Sequence, residues 1–159
     1  MGQQLTVQEV LNRWEFYTLE ADACYHRQEY KLASKKFCHT VELLEPWLNK
    51  ETKELSKVLR LFVLACHNAA HSLAKQGKDK EAEYYYSHAH FRLLSLLSSE
   101  PTSRKIIEYA ALELVTTFEA LKCYLLNQNK YQLADNIKEE SIRVLEHTKL
   151  PKEVITLEI

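Results

Sequence analysis

The stretch Gln76–Ala82, QGKDKEA, has two counterparts in the chain, Arg27–Ala33 (RQEYKLA) and Gln128–Ala134 (QNKYQLA). The three stretches begin 49 residues apart (27 to 76) and 52 residues apart (76 to 128). In all three, turn-forming residues come first, a polar residue follows, and the seventh residue is an alanine. A supersecondary unit that recurs at a nearly constant spacing is typical of helical repeat proteins. The sequence therefore predicts three helical hairpins, each with one of these stretches at its turn.

The residue types around each turn agree with two helices packed closely together. A second helix can approach the first near a tight turn only where the side chains at the crossing are small. Alanines stand at that place in the second helices, and large rings follow four residues later in the first two copies. The small residues are Ala33, Ala82 and Ala134, with Ala21 and Ala70 opposite them, and the rings are Phe37 and Tyr86.

The rest of the chain has the spacing of long helices. It contains two glycines and three prolines, and its apolar residues recur at intervals of three and four. Thr6 and Glu9 form a capping-box pattern before the first helix, Gly77 is expected to end the third helix, and Pro101 to begin the fifth. The predicted helices cover residues 7–27, 30–48, 53–75, 78–98, 103–127 and 131–147.

These stretches resemble tetratricopeptide (TPR) repeats. AHSLAKQGKDKEAEYYYSHA, Ala70–Ala89, has the small residues, the turn and the aromatic ring of a repeat, and ADACYHRQEYKLASKKF, Ala21–Phe37, is similar. The third copy departs at Lys122 and Lys138. The resemblance implies an all-α fold of three antiparallel hairpins, at residues 7–48, 53–98 and 103–147, which stack as a short right-handed solenoid. It also implies a single domain over 1–149, followed by a tail over 150–159. TPR repeats span about 34 residues, so the helices here would be longer. The pattern is also similar to small bacterial helical-repeat families, from which no activity follows.

The resemblance also implies a groove lined by the first helix of each hairpin. Its lining residues would be Asp22, Tyr25, His67, Asn68, His71, Lys75 and Glu119. TPR proteins that clamp a C-terminal carboxylate use Lys and Asn at such places, and only Asn68 matches that pattern. Asp22 and Glu119, with two histidines between them, favour a polar or basic peptide segment instead. Its affinity would vary near neutral pH because histidine titrates there.

The histidines suggest an alternative. His67 and His71 lie four residues apart, which places both rings on one helix face with the geometry of a metal chelate. HNAAH has Asn68 where a zinc protease would have its catalytic Glu, and His88 and His90, two residues apart, point in different directions. Glycine-rich phosphate loops and nucleophile motifs are missing from the sequence. We therefore predict a non-enzymatic protein without a cofactor; the alternative is a metal- or small-molecule-binding domain centred on His67 and His71.

Composition limits the partners. The net charge is −1 with a pI of about 6.7, which gives no basic surface for nucleic acid or an acidic membrane. The N-terminus lacks the pattern of a leader peptide, and the apolar runs are too short to cross a bilayer. The four cysteines lack the spacing of a disulfide framework. We therefore expect a cytoplasmic location. The expected partner is another protein or peptide, and a homo-oligomer through the solenoid ends is a further alternative. Gly2 fits a loose lipidation pattern, and Val154–Ile159 has the composition of a strand.

Overall fold

The computed structural model describes residues 4–99, 103–151 and 153. This part of the chain contains six α-helices and no strand, so the expected all-α class is confirmed. The predicted ends agree to within a few residues, except that the second helix ends early and continues as a short 3₁₀ turn, Glu45–Trp47, around Pro46. Gly2, Pro101 and Val154–Ile159 lie outside the described residues. The helices are α1 Val7–His26, α2 Tyr30–Leu44, α3 Leu55–Ala74, α4 Asp79–Ser98, α5 Arg104–Asn127 and α6 Tyr131–His147.

The start of α1 is the capping box that the sequence predicts. The backbone N–H of Glu9 donates to the Thr6 hydroxyl at 3.2 Å, and the Thr6 N–H donates to the Glu9 carboxylate at 2.7 Å. Helix α5 begins with a related cap, in which Ser103 accepts from the N–H of Ile106 at 3.3 Å. Each cap satisfies backbone donors that the first turn of a helix leaves without a partner.

The three similar stretches have the same backbone conformation. Their second residues, Gln28, Gly77 and Asn129, have φ of 64°, 71° and 58°, the left-handed conformation that commonly ends a helix. The next residue then donates its N–H to a carbonyl five residues earlier, as in a Schellman motif. These bonds are Glu29 to Cys24 (2.9 Å), Lys78 to Leu73 (3.1 Å) and Lys130 to Leu125 (2.9 Å). The prediction that Gly77 ends α3 in this conformation is confirmed.

The chain divides into two compact units, and the division falls inside α4 between Tyr85 and Tyr86. In the first unit α2 packs against both α1 and α3. Two of the small residues predicted at the crossings, Ala21 and Ala33, are buried there in one core cluster with Cys24, Phe37 and Ala69. Ala70, also predicted at a crossing, is fully buried. The Gln76 side-chain amide at the second turn lies 3.1 Å from the Tyr30 carbonyl and 3.0 Å from the Ser34 hydroxyl, which ties that turn to α2.

In the second unit α5 packs against α6. Its interior consists of leucine, alanine and aromatic side chains from α4, α5 and α6, including Leu93, Ala110, Leu114, Phe118, Leu121, Leu125, Ala134 and Leu145. Tyr86 lies against Tyr124 with ring centroids 5.0 Å apart. Lys122 is half-buried and holds its Nζ 5.9 Å from the Phe118 ring, so its stem covers apolar surface where a small residue was expected. A single domain over 1–149 remains a prediction.

Among the described helices, none is long and apolar enough to cross a membrane.

Candidate functional site

A pocket of about 230 Å³ in the first unit combines polar and aromatic side chains from three helices. It is smaller than most small-molecule sites, which have volumes of about 300–1,000 Å³. Four of the residues around it, Asp22, Tyr25, Asn68 and His71, belong to the groove implied by the sequence. The full lining consists of Asp22, Tyr25 and His26 from α1, Phe37 from α2, and Asn68 and His71 from α3.

The α1 side of the pocket is one helical turn of polar and aromatic groups. His26 donates from Nδ1 to the backbone carbonyl of Asp22 at 2.7 Å, a bond between residues four apart. Because the carbonyl only accepts, the proton of that bond is on Nδ1. The Tyr25 ring contacts the Tyr30 ring edge-to-face at 5.1 Å, which orients it beside Asp22.

The α3 side contributes Asn68 and His71. Partial burial, followed by repulsion from Lys75, lowers the pKa of His71 below its ordinary value of 6.5. The ring is therefore neutral at neutral pH and offers one donor and one acceptor nitrogen. Lys75 is exposed one turn further on, at the end of α3, and does not line the pocket.

Besides Lys75, two predicted groove residues lie outside the pocket. His67 is half-buried one turn before His71, outside the pocket lining, and its burial, followed by repulsion from His71, lowers its pKa to about 4. It is therefore a neutral packed side chain near pH 7. Glu119 is exposed on α5, in the second unit.

Sequence reasoning missed His26 as a pocket residue and assigned Phe37 only to packing. The position of His26, four residues after Asp22, could have shown that both lie on the same helix face. Phe37 is 2% exposed and serves both as core and as the apolar wall of the pocket. Its second role depends on how three helices meet, which the periodicity of a single helix does not contain.

The second unit contains a buried polar cluster centred on His90. The ring is fully buried, with Nδ1 3.0 Å from the Thr117 hydroxyl and Nε2 2.8 Å from the Ser141 hydroxyl. The cluster joins α4, α5 and α6, and burial lowers the pKa of His90 to about 4. A neutral ring that uses both nitrogens within a core has a structural role rather than an accessible chemical one.

Metal and thiol chemistry have little structural support. Within residues 4–99, 103–151 and 153, no three His, Cys, Asp or Glu side chains lie together in a way that could hold a metal ion. The four cysteines are free thiols. Burial raises the pKa of Cys38 and, more strongly, of Cys66, which keeps both as unreactive thiols at neutral pH.

Comparison with known proteins gives a family but no described function. No curated protein and no solved structure matches the chain. One family model, described as Protein of unknown function (DUF2753), matches residues 12–150. That match runs from α1 through α6 and covers most of the chain. The chain therefore belongs to the DUF2753 family.

Proposed function

We propose that this chain is a TPR-like interaction module that binds a polypeptide segment of another protein in the groove of its first unit. In this proposal three hairpins stack as a short right-handed solenoid and the protein acts without catalysis or a cofactor. The repeated turn conformation at Gln28, Gly77 and Asn129 supports the repeat. The observation that carries the function is the pocket in which Asp22, Tyr25, Asn68 and His71 come together.

The chemistry of the pocket suits a peptide. Its rings offer apolar contact, while a carboxylate, an amide and histidine nitrogens offer hydrogen bonds at the rim. A side chain inserted into such a pocket gains specificity, and the flanking backbone gains affinity along the helices.

A small-molecule ligand is the second candidate; with a pocket of about 230 Å³ it would be smaller than the usual ligands of pockets of about 300–1,000 Å³. It would occupy the same residues, so the two candidates differ in what competes for the site. If the ligand is a peptide, competing peptides that extend beyond the pocket should compete better than the single residue that fills it; if it is a small molecule, residues beyond the pocket should add little.

The test is affinity capture from lysate of the source cells with the wild-type chain and an Asn68→Ala/His71→Ala variant, read by mass spectrometry. These two residues are preferred to His67, whose ring is packed and whose loss would disturb the fold. The captured protein's binding segment is then synthesised and its Kd measured. We expect the variant to bind the segment at least about tenfold more weakly, which is about 1.4 kcal/mol.

Glu140→Ala, an exposed change on α6, is the matched control and should leave binding unchanged. Circular dichroism establishes that all variants keep their helix content. Equal capture by wild type and Asn68→Ala/His71→Ala would show that the pocket does not bind the partner, and the proposal would be abandoned.

A further inference from the structure

We infer that the pocket of the first unit binds an arginine side chain of the partner segment, held between the Asp22 carboxylate and the aromatic rings. This inference rests on the proposed function and adds to it the chemical identity of the residue bound. The charges, the hydrogen-bonding groups and the rings of the lining each point to it.

The charge of the lining favours a cation. Asp22 is the one carboxylate among the described residues that line the pocket, and it is only half-exposed there. His71, on the facing helix, is neutral at neutral pH because burial and Lys75 lower its pKa. Asp22 therefore gives the lining a carboxylate charge in a partly desolvated site, where an ion pair is stronger than on open surface.

The lining contains hydrogen-bond acceptors suited to a guanidinium. The Asp22 carboxylate has two acceptor oxygens, and the Asn68 amide has one. A guanidinium presents five N–H donors in one plane and has no acceptor of its own. A lysine ammonium has three donors, so it would leave more of these acceptors unsatisfied.

The rings favour a planar cation over a compact one. Phe37 forms a buried apolar wall and Tyr25 a second aromatic surface beside Asp22. Guanidinium groups stack on aromatic faces and are more weakly hydrated than ammonium groups, so they lose less on entering such a site.

The experiment selects phage-displayed random peptides on the full chain and measures their affinities by fluorescence anisotropy. We expect the selected peptides to share an arginine. Replacing that arginine by citrulline, which keeps the shape but not the charge, should weaken binding about tenfold or more, and lysine should fall between the two. Asp22→Asn should weaken binding of the arginine peptide to the same degree and have little effect on the citrulline peptide.

Asp135→Asn, an exposed change on α6, is the matched control and should leave affinity within about twofold. Asp22→Glu, which keeps the charge, should retain part of the binding and guards against a folding defect in Asp22→Asn. Peptides that lose binding in Asn68→Ala/His71→Ala but share no arginine would overturn this inference and leave the proposed function intact. If no selected peptide depended on Asn68 and His71, both would be refuted.

Discussion

Acidification is expected to destabilise the second unit through His90. This ring is fully buried between hydroxyls, 3.0 Å from Thr117 and 2.8 Å from Ser141, and burial lowers its pKa from 6.5 to about 4. In the unfolded chain the same ring is solvated and takes up a proton near its ordinary pKa. At acidic pH the unfolded chain therefore binds a proton at this ring that the folded protein does not bind. This difference lowers the free energy of unfolding.

The sign and size follow from linkage. Between the unfolded pKa and the folded pKa the unfolded chain binds more protons, so stability rises with pH in that window. The contribution is fully present above 6.5 and is lost as the pH falls toward about 4. The loss from this one histidine is about 2 kcal/mol at about pH 5, and about 3 kcal/mol once the pH is below the folded pKa.

The assay is urea denaturation of wild type and His90→Gln near neutral pH and near pH 5, read by circular dichroism and by hydrogen exchange of the amides of α4–α6. Glutamine can bond the two hydroxyls but does not titrate. We expect His90→Gln to lose about 1–3 kcal/mol near neutral pH, from altered packing and hydrogen bonding. Between the two pH values it should then lose about 2 kcal/mol less than wild type.

His67→Gln is the matched control, since the pKa of His67 is also lowered to about 4 but the residue lies in the first unit. Both tryptophans, Trp14 and Trp47, are in that unit, so their fluorescence follows it separately. If His90→Gln kept the full wild-type pH dependence of exchange in α4–α6, another group would be titrating and the reasoning from burial would be wrong.

Further substitutions test the turn conformation, the cap of α1 and the packing between helices. Gln28→Gly should raise the free energy of unfolding by about 0.5–1 kcal/mol, because a left-handed residue other than glycine is strained; Gly77→Gln, at the matching turn, should lower it by about 1 kcal/mol or more. Thr6→Ala should cost about 1 kcal/mol and increase hydrogen exchange at the start of α1. Ala33→Leu should cost about 1–3 kcal/mol in urea denaturation, since this fully buried methyl group lies in the core cluster of the first unit and a larger side chain would have to displace its neighbours, whereas Lys35→Leu, an exposed change on the same helix, should have little effect.

Helix positions and turn chemistry were predictable from sequence because they depend on local spacing. The left-handed end at Gly77, the capping box at Thr6 and the buried Ala33 all follow from residues within one or two turns. The early end of α2 was missed, although Pro46 is visible in the sequence, because the apolar period continues through Leu48. A hydrophobic period describes which face is buried and carries no information on backbone hydrogen bonds.

The site was predictable in part for the same reason. Helical periodicity places Asp22 and Tyr25 on the same face of one helix, so both could be assigned to the groove once the repeat is aligned. The position of His67 outside the pocket depends on how the neighbouring helices pack. The role of His90 was out of reach, because its hydroxyl partners lie 27 and 51 residues away. Pairing across such distances is decided by packing, which a single sequence does not display.

The three short turns have a consequence for how quickly the chain reaches its native structure. Each connects two helices through about three residues, and within the first unit α2 packs against its sequence neighbours α1 and α3. Contacts between residues near in sequence require little loop closure before they form, and helical proteins dominated by them fold in microseconds to milliseconds. A nascent hairpin can therefore close while the rest of the chain is still being synthesised, which leaves little time in which its apolar faces are exposed to other proteins.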